Sequence, residues 1–196
     1  MRRIILIDFD GTLIDCDSLW TYLREFSGWK FPVKMIAAFP VVAFCYLSKS
    51  PSHAKERLLS FFLKGISRQE LAECAGRVAM KLQGHVVEAM RHVVAQAREC
   101  GDEVAVVSAS PSLWVAPVAE PLGVNHVLAT ELEYDAYGVF TGRFVTPNCV
   151  GVEKVNRIRQ AFGINDDNRG DFHLVAYGDS NGDTSMLAFA DEHVKM

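Results

Sequence analysis

The sequence predicts an α/β fold: a Rossmann-like, mainly parallel sheet, with a helical cap inserted after its first strand and a small β-hairpin. Three observations carry that expectation. Four short, β-rich apolar runs alternate with stretches of helical spacing, the pattern of a parallel sheet with helices on its faces. The interval from about Asp15 to Gln83 holds helical patterns and no convincing strand. Three of the four apolar runs end on polar or acidic residues before a Gly- or Pro-bearing turn, and ligands of such sheets bind beyond the strand ends.

The four runs are "RIILID" (3–8), "EVAVVSAS" (103–110), "HVLAT" (126–130) and "HLVAYGD" (173–179). After the first, "DSLWTYLREFSG" puts Leu19, Tyr22, Leu23 and Phe26 on one helical face and stops at Gly28. "FPVKMIAAFPVVAFCYL" (31–47) is apolar apart from Lys34; its uncharged part, 35–47, is shorter than the roughly 20 residues that cross a bilayer. It reads as a buried helical hairpin or core helix of the cap, with a lipid-facing surface as the sharper reading. "SRQELAECAGRVAMKL" opens with Ser67 and Glu70 in capping-box spacing. "VEAMRHVVAQAREC" stops at Gly101, Pro111 suits a first helical position, and "VEKVNRIRQAF" stops at Gly163. "ELEYDAYGVFTGRF" (131–144) alternates around a turn near residues 135–138, a small β-hairpin appended to the sheet. The division expected is a core of 1–14 and 84–196 and a cap of 15–83.

Composition narrows the function classes. At 196 residues and 22% charged the chain suits one globular domain with an insertion. A net charge of −4 argues against nucleic-acid binding. Residues 18–64 nevertheless carry seven Lys or Arg (Arg24, Lys30, Lys34, Lys49, Lys55, Arg57, Lys64) against Glu25 and Glu56, a local +5 that suits a peripheral membrane contact through the cap. Five scattered cysteines form no CxxC pair, which fits a reducing cytosol and suggests neither disulfides nor zinc. The six histidines show no ligand spacing.

The chemistry lies at the strand ends. Asp8 and Asp10 project to the same side because strand side chains repeat every two residues. Carboxylates that close repel, unless one takes a proton or a hard cation such as Mg2+ lies between them. "YGDSNGD" adds Asp179 and Asp183, with Gly178 and Gly182 leaving room for a tight turn. Ser108 and the amides of Ala109 and Ser110 can face an anion at a helix start, and Lys154 offers a positive charge. Two adjacent acids, a hydroxyl, a lysine and a second acid pair make a phosphoryl-transfer site with a carboxylate nucleophile.

"DFDGTL", the "VVSAS" strand, Lys154 and "GDSNGD", in that order, resemble the four motifs of the haloacid dehalogenase-like superfamily. The resemblance is to its phosphoserine-phosphatase-like branch, with a helical cap between motifs one and two, and covers essentially the whole chain. It implies that Asp8 attacks phosphorus and Asp10 protonates the leaving oxygen and then activates water. It implies Mg2+ held by Asp8, the Asp10 backbone carbonyl and Asp179, with Asp183 behind them. Gly11, Thr12, Ser108, Ala109 and Lys154 would bind the phosphoryl group; Asp17 and Arg57 would read the rest of the substrate. Gly11 replaces the usual serine, "ASP" a glycine-rich stretch, and Gly182 an asparagine, which argues against phosphoserine itself. The apolar cap is more like that of phosphatidylglycerophosphate phosphatases of this branch. A phosphotransferase is the nearest alternative; a receiver domain would set its acids in another strand order, and a non-catalytic binding module would not need the full motif set.

Overall fold

The protein, as a computed structural model, is described at residues 1–47 and 51–196, and at 41, 42, 44–47, 51 and 52 through the backbone alone. Lys49 of the basic segment lies outside the described residues. In chain order the elements are β1 (Arg2–Ile7), α1 (Ser18–Ser27), α2 (Phe31–Leu47), α3 (Pro51–Leu63), α4 (Arg68–Leu82), α5 (Glu88–Cys100), β2 (Glu103–Pro111) and α6 (Ser112–Ala119). They continue with β3 (His126–Thr130), β4 (Leu132–Tyr134), β5 (Phe140–Phe144), α7 (Val152–Phe162), β6 (Phe172–Gly178), α8 (Thr184–Phe189) and β7 (Glu192–Lys195).

The main sheet runs β3-β2-β1-β6-β7, and every neighbouring pair is parallel. Alternation along β1 divides the core into two layers. Ile5 and Ile7 join a cluster that reaches Val94 of α5, Trp114 of α6 and Tyr22, Leu59 and Leu71 of the inserted helices. Ile4 and Leu6 face the opposite layer, with Ile158 and Phe162 of α7 and Met186 and Leu187 of α8. Burial on both faces explains why β1 reads as an unbroken apolar run.

Local signals end the helices where expected. Asp17 caps α1 by accepting from the Leu19 and Trp20 amides, and Ser67 caps α4 by accepting from the Glu70 amide. Gly101 and Gly163 close α5 and α7 in the left-handed conformation.

Four features differ from the sequence expectation. Strand β7 was not anticipated, because all four of its residues are exposed and it carries no apolar run. Pairing with β3 carries β2 on to Pro111, which therefore precedes α6 as its cap instead of starting it. The hairpin β4–β5 is a separate two-stranded sheet, not an extension of the main one. It fastens the inserted helices: the Phe144 amide donates to Glu56 Oε1 of α3 (2.9 Å), and Phe140 exchanges backbone bonds with Gly65 and Ile66 (3.0 and 2.9 Å).

The fourth concerns 31–47, which forms one helix running through Pro40 and leaves most of residues 31–40 exposed or only partly covered. Val33 is 66% exposed, Ile36 76% and Phe39 69%, while Ala38 faces inward. The helix is apolar all round, so no polar stripe in the sequence marked which side would be left uncovered.

Candidate active site

Strand β1 is paired to β2 on one side and β6 on the other, and the chain builds outward from it in both directions. That reversal opens a crevice at the carboxyl ends of β1 and β6, the place where ligands of open α/β sheets bind. Asp8 follows β1, anchored by its amide to Tyr177 O at 2.9 Å, and Asp179 follows β6. The loop after β1 comes so close to Asp179 that a Cβ at Gly11 would lie 2.4 Å from its Oδ2, and Gly11 has φ +82°. Only glycine fits there.

A cavity of about 200 Å3 occupies the crevice, and Asp8, Asp10, Ser108, Ala109, Lys154, Asp179 and Asp183 all line it. These seven sequence-predicted residues come from four separate segments. Thr12 is fully buried beneath the loop, its hydroxyl without a hydrogen-bond partner among the described residues.

Lys154 organises the floor. It is 2% exposed, and its ammonium donates to Asp8 Oδ1 (2.5 Å), Asp183 Oδ1 (2.5 Å) and Val107 O (2.7 Å), so all three protons are used. Burial works against its charge, but the two carboxylates outweigh burial and raise its pKa. Asp183 is also buried, yet Lys154 and the Ser180 hydroxyl and amide hold its carboxyl below the usual range. Asp8 is pushed up to about 6, chiefly by burial, against the pull of Lys154. The two acids on one lysine are thus driven apart.

Asp10 sits differently. Its Oδ1 accepts from the Ser18 amide (2.7 Å) and its Oδ2 from the Ser110 hydroxyl (2.5 Å), so its carboxylate is tied to α1 and to the end of β2. The Ser110 amide, expected to face an anion, donates instead to Ser108 Oγ (2.9 Å). The pairing of β2 with β3 is irregular between Ser108 and Pro111, which leaves the amide for this local bond.

The two residues expected to read the rest of the substrate are not brought together. The carboxylate of Asp17 is taken up by capping α1, although it borders the outer mouth beside Asp10 and Asp179. Arg57 is exposed on α3. Lys55, two positions earlier and hence on another face of the helix, points its Nζ at Ser110 Oγ (3.4 Å). Burial depresses its pKa against the pull of Asp10, Asp17 and Asp8. Sequence reading counted Lys55 among the cap's basic residues without singling it out, since a lysine in an amphipathic helix usually faces water.

Carboxylate oxygens of Asp8, Asp179 and Asp183 lie within 4.8 Å of one another, and Asp179 Oδ1 is buried with no hydrogen-bond partner among the described residues. Hard oxygen donors with one orphaned atom fit Mg2+. Both Asp183 oxygens are already engaged, which leaves Asp8 and Asp179 as the open ligands. A second group, Asp15, Cys16 and His85, is largely exposed, and burial holds the Cys16 thiol protonated, up to about 11.

The family model for haloacid dehalogenase-like hydrolases matches residues 5–188. Protein CicA of Caulobacter vibrioides is 31% identical over 96% of this chain and 83% of its own length. A histidinol-phosphatase of Neisseria meningitidis is 25% identical over 99% of this chain and 90% of its own. A solved phosphoserine phosphatase, holding a phospho-aspartyl intermediate analogue, shares the fold at a TM-score of 0.64 and 23% identity, over 99% of this chain and 86% of that one.

Proposed function

The chain belongs to the haloacid dehalogenase-like hydrolase family; from that premise we propose that it is a phosphatase of the phosphoserine-phosphatase-like branch and hydrolyses a small phosphomonoester through an aspartyl-phosphate on Asp8. The observation that carries this reading is the unequal treatment of two neighbouring acids. Asp8 is buried against a lysine on the cavity floor, whereas Asp10 is held by neutral donors on its wall. A nucleophile and a proton carrier need that division.

In the first step an Asp8 oxygen bonds to phosphorus as the bond to the ester oxygen breaks, and Asp10 gives its proton to the departing alkoxide. In the second, water attacks phosphorus, the Asp8–phosphorus bond breaks, Asp10 takes the water's proton and inorganic phosphate leaves. Lys154 offsets the charge of Asp8 and of the incoming phosphoryl group, and Asp183 keeps Lys154 aimed. Ser108, the Ala109 amide and the Gly11–Thr12 turn provide the remaining phosphoryl-binding groups. Mg2+, bound by Asp8, the Asp10 carbonyl and Asp179, would supply charge neutralisation for the phosphoryl oxygens.

Lys55, whose ammonium reaches the Ser110 hydroxyl next to Asp10, suits an anionic or hydroxyl-rich leaving group. Likeness to a histidinol-phosphatase puts amino-alcohol phosphates first in a substrate screen. The exposed face of α2 favours a second reading, a lipid phosphomonoester met at a membrane surface. Within the 31–47 segment the side chains of 41, 42 and 44–47 lie outside the described residues. The deciding experiment is turnover of p-nitrophenyl phosphate with and without Mg2+, with intact-protein mass spectrometry of Asp10→Asn. Mg2+-dependent turnover and one added phosphoryl group on Asp8 are expected. Turnover that survives Asp8→Asn would refute the nucleophile.

A further inference from the structure

Behind Asp10 runs a chain of buried polar groups that the reaction scheme above does not use. Trp114 Nε1 of α6 donates to Ser18 Oγ (3.0 Å), Ser18 Oγ lies 3.2 Å from Ser110 Oγ, and Ser110 Oγ lies 2.5 Å from Asp10 Oδ2. Trp114, Ser18 and Ser110 are fully buried. We propose that Ser110, backed by Ser18 and Trp114, is a positioning residue that holds Asp10 aimed at the leaving-group oxygen. This inference rests on the reading of Asp10 as the proton carrier.

The direction of the chain follows from its head. An indole nitrogen can only donate, so Ser18 Oγ accepts from it and its own proton is left for Ser110 Oγ. Ser110 Oγ, which accepts from Ser18 and faces the Lys55 ammonium at 3.4 Å, then has its proton left for Asp10 Oδ2. The other Asp10 oxygen is occupied by the Ser18 amide at 2.7 Å. A carboxylate has about four acceptor sites, so these two bonds fix the side chain and leave one lone pair on each oxygen to carry a proton.

The head of the chain is itself immobile. The Trp114 ring stacks on Tyr22 at 4.3 Å, and the Tyr22 hydroxyl donates to Leu71 O at 2.8 Å. The aim of Asp10 is therefore set jointly by β2 and α6 of the sheet layer and by α1 and α4 of the insertion. Position 110 falls in the "ASP" stretch, where the sequence departs from a glycine-rich pattern, and glycine has no hydroxyl with which to do this.

The test uses two aryl esters of similar shape, p-nitrophenyl phosphate and phenyl phosphate, with Mg2+. Nitrophenolate leaves without a proton, whereas phenolate needs one, and kcat/KM reports the steps through leaving-group departure. Ser110→Ala should lower kcat/KM for phenyl phosphate about tenfold more than for p-nitrophenyl phosphate, the scale expected for losing a hydrogen bond to a charged group. Ser18→Ala, which keeps its amide bond to Asp10, should show the same bias at about threefold. Added to Asp10→Asn, Ser110→Ala should cost almost nothing further.

Equal loss on both esters, or full additivity with Asp10→Asn, would overturn the proposal while leaving the phosphatase reading intact. If Ser110→Ala does not fold, Ser18→Ala decides by the same bias. A wild type that turns over neither ester would overturn the phosphatase reading, and this inference with it.

Discussion

The cavity floor and the helices above it are built to different standards. On the floor, every proton of Lys154 and both oxygens of Asp183 are engaged, and the groups are fixed by the ends of paired strands. Above it, Lys55 makes one long contact, Arg57 faces water and α2 leaves an apolar face uncovered. A phosphoryl group is the same in every ester, so its site can be rigid and fully specified. The alcohol attached to it varies, and the surface that meets it is the less determined one.

The most damaging break should be Asp8→Asn, with kcat for p-nitrophenyl phosphate falling on the order of 10⁴-fold or more and the circular dichroism spectrum unchanged. Asp10→Asn should cost about 10² to 10⁴-fold and leave phosphorylated enzyme detectable by mass. Asp179→Asn should abolish the rise in Tm that Mg2+ gives the wild type, since that rise measures binding to the folded state. Without metal the same variant should melt higher than wild type at pH 7. Burial and the Asp183 charge raise the Asp179 pKa, so the stability of its protonated form is lost as pH rises through the folded value. The advantage of the variant should accordingly shrink as pH falls toward the ordinary carboxylate range.

Smaller effects should come from above the floor and would sharpen the contrast. Lys55→Met should raise KM several-fold for an anionic ester with a lesser change in kcat, while Arg57→Ala changes neither; equal effects would erase the distinction between the two cations. Ile36→Ser with Phe39→Ser should leave turnover of water-soluble esters unchanged. If α2 meets lipid, that pair should abolish co-sedimentation with anionic vesicles; retention would dismiss the second reading.

Legibility in the sequence follows the same division. Strands β1, β2 and β6 and the partly buried β3 announced themselves as apolar runs, and the acids after β1 and β6 could be placed because strand geometry leaves them few directions. Strand β7 could not be read, since a strand held by one neighbour with all residues exposed has no pattern. Asp17 shows the opposite limit: an acid before a helix suits a cap or a ligand reader equally, and only the amides of Leu19 and Trp20 show that it caps. Lys55, Ser18, Trp114 and the hydroxyl of Ser110 stayed invisible because each is ordinary for its element. Their convergence on Asp10 depends on how the inserted helices pack against β2 and α6, which is tertiary information. A serine in place of glycine after the motif-two Ser108 was the one trace available.

The central place of β1 also governs how the chain must assemble. Its partners are nearly one hundred and one hundred and seventy residues away, Ile4 pairing with Glu103 and Arg2 with Phe172. The earliest strand of the sheet in chain order is thus completed almost last, and contacts of such span close slowly. Until β6 arrives, the apolar "IILI" run has an unpaired edge, the form in which nascent chains are taken up by chaperones or aggregate. Refolding should therefore be slow and sensitive to protein concentration, and a chain truncated before residue 172 should fail to form the crevice at all.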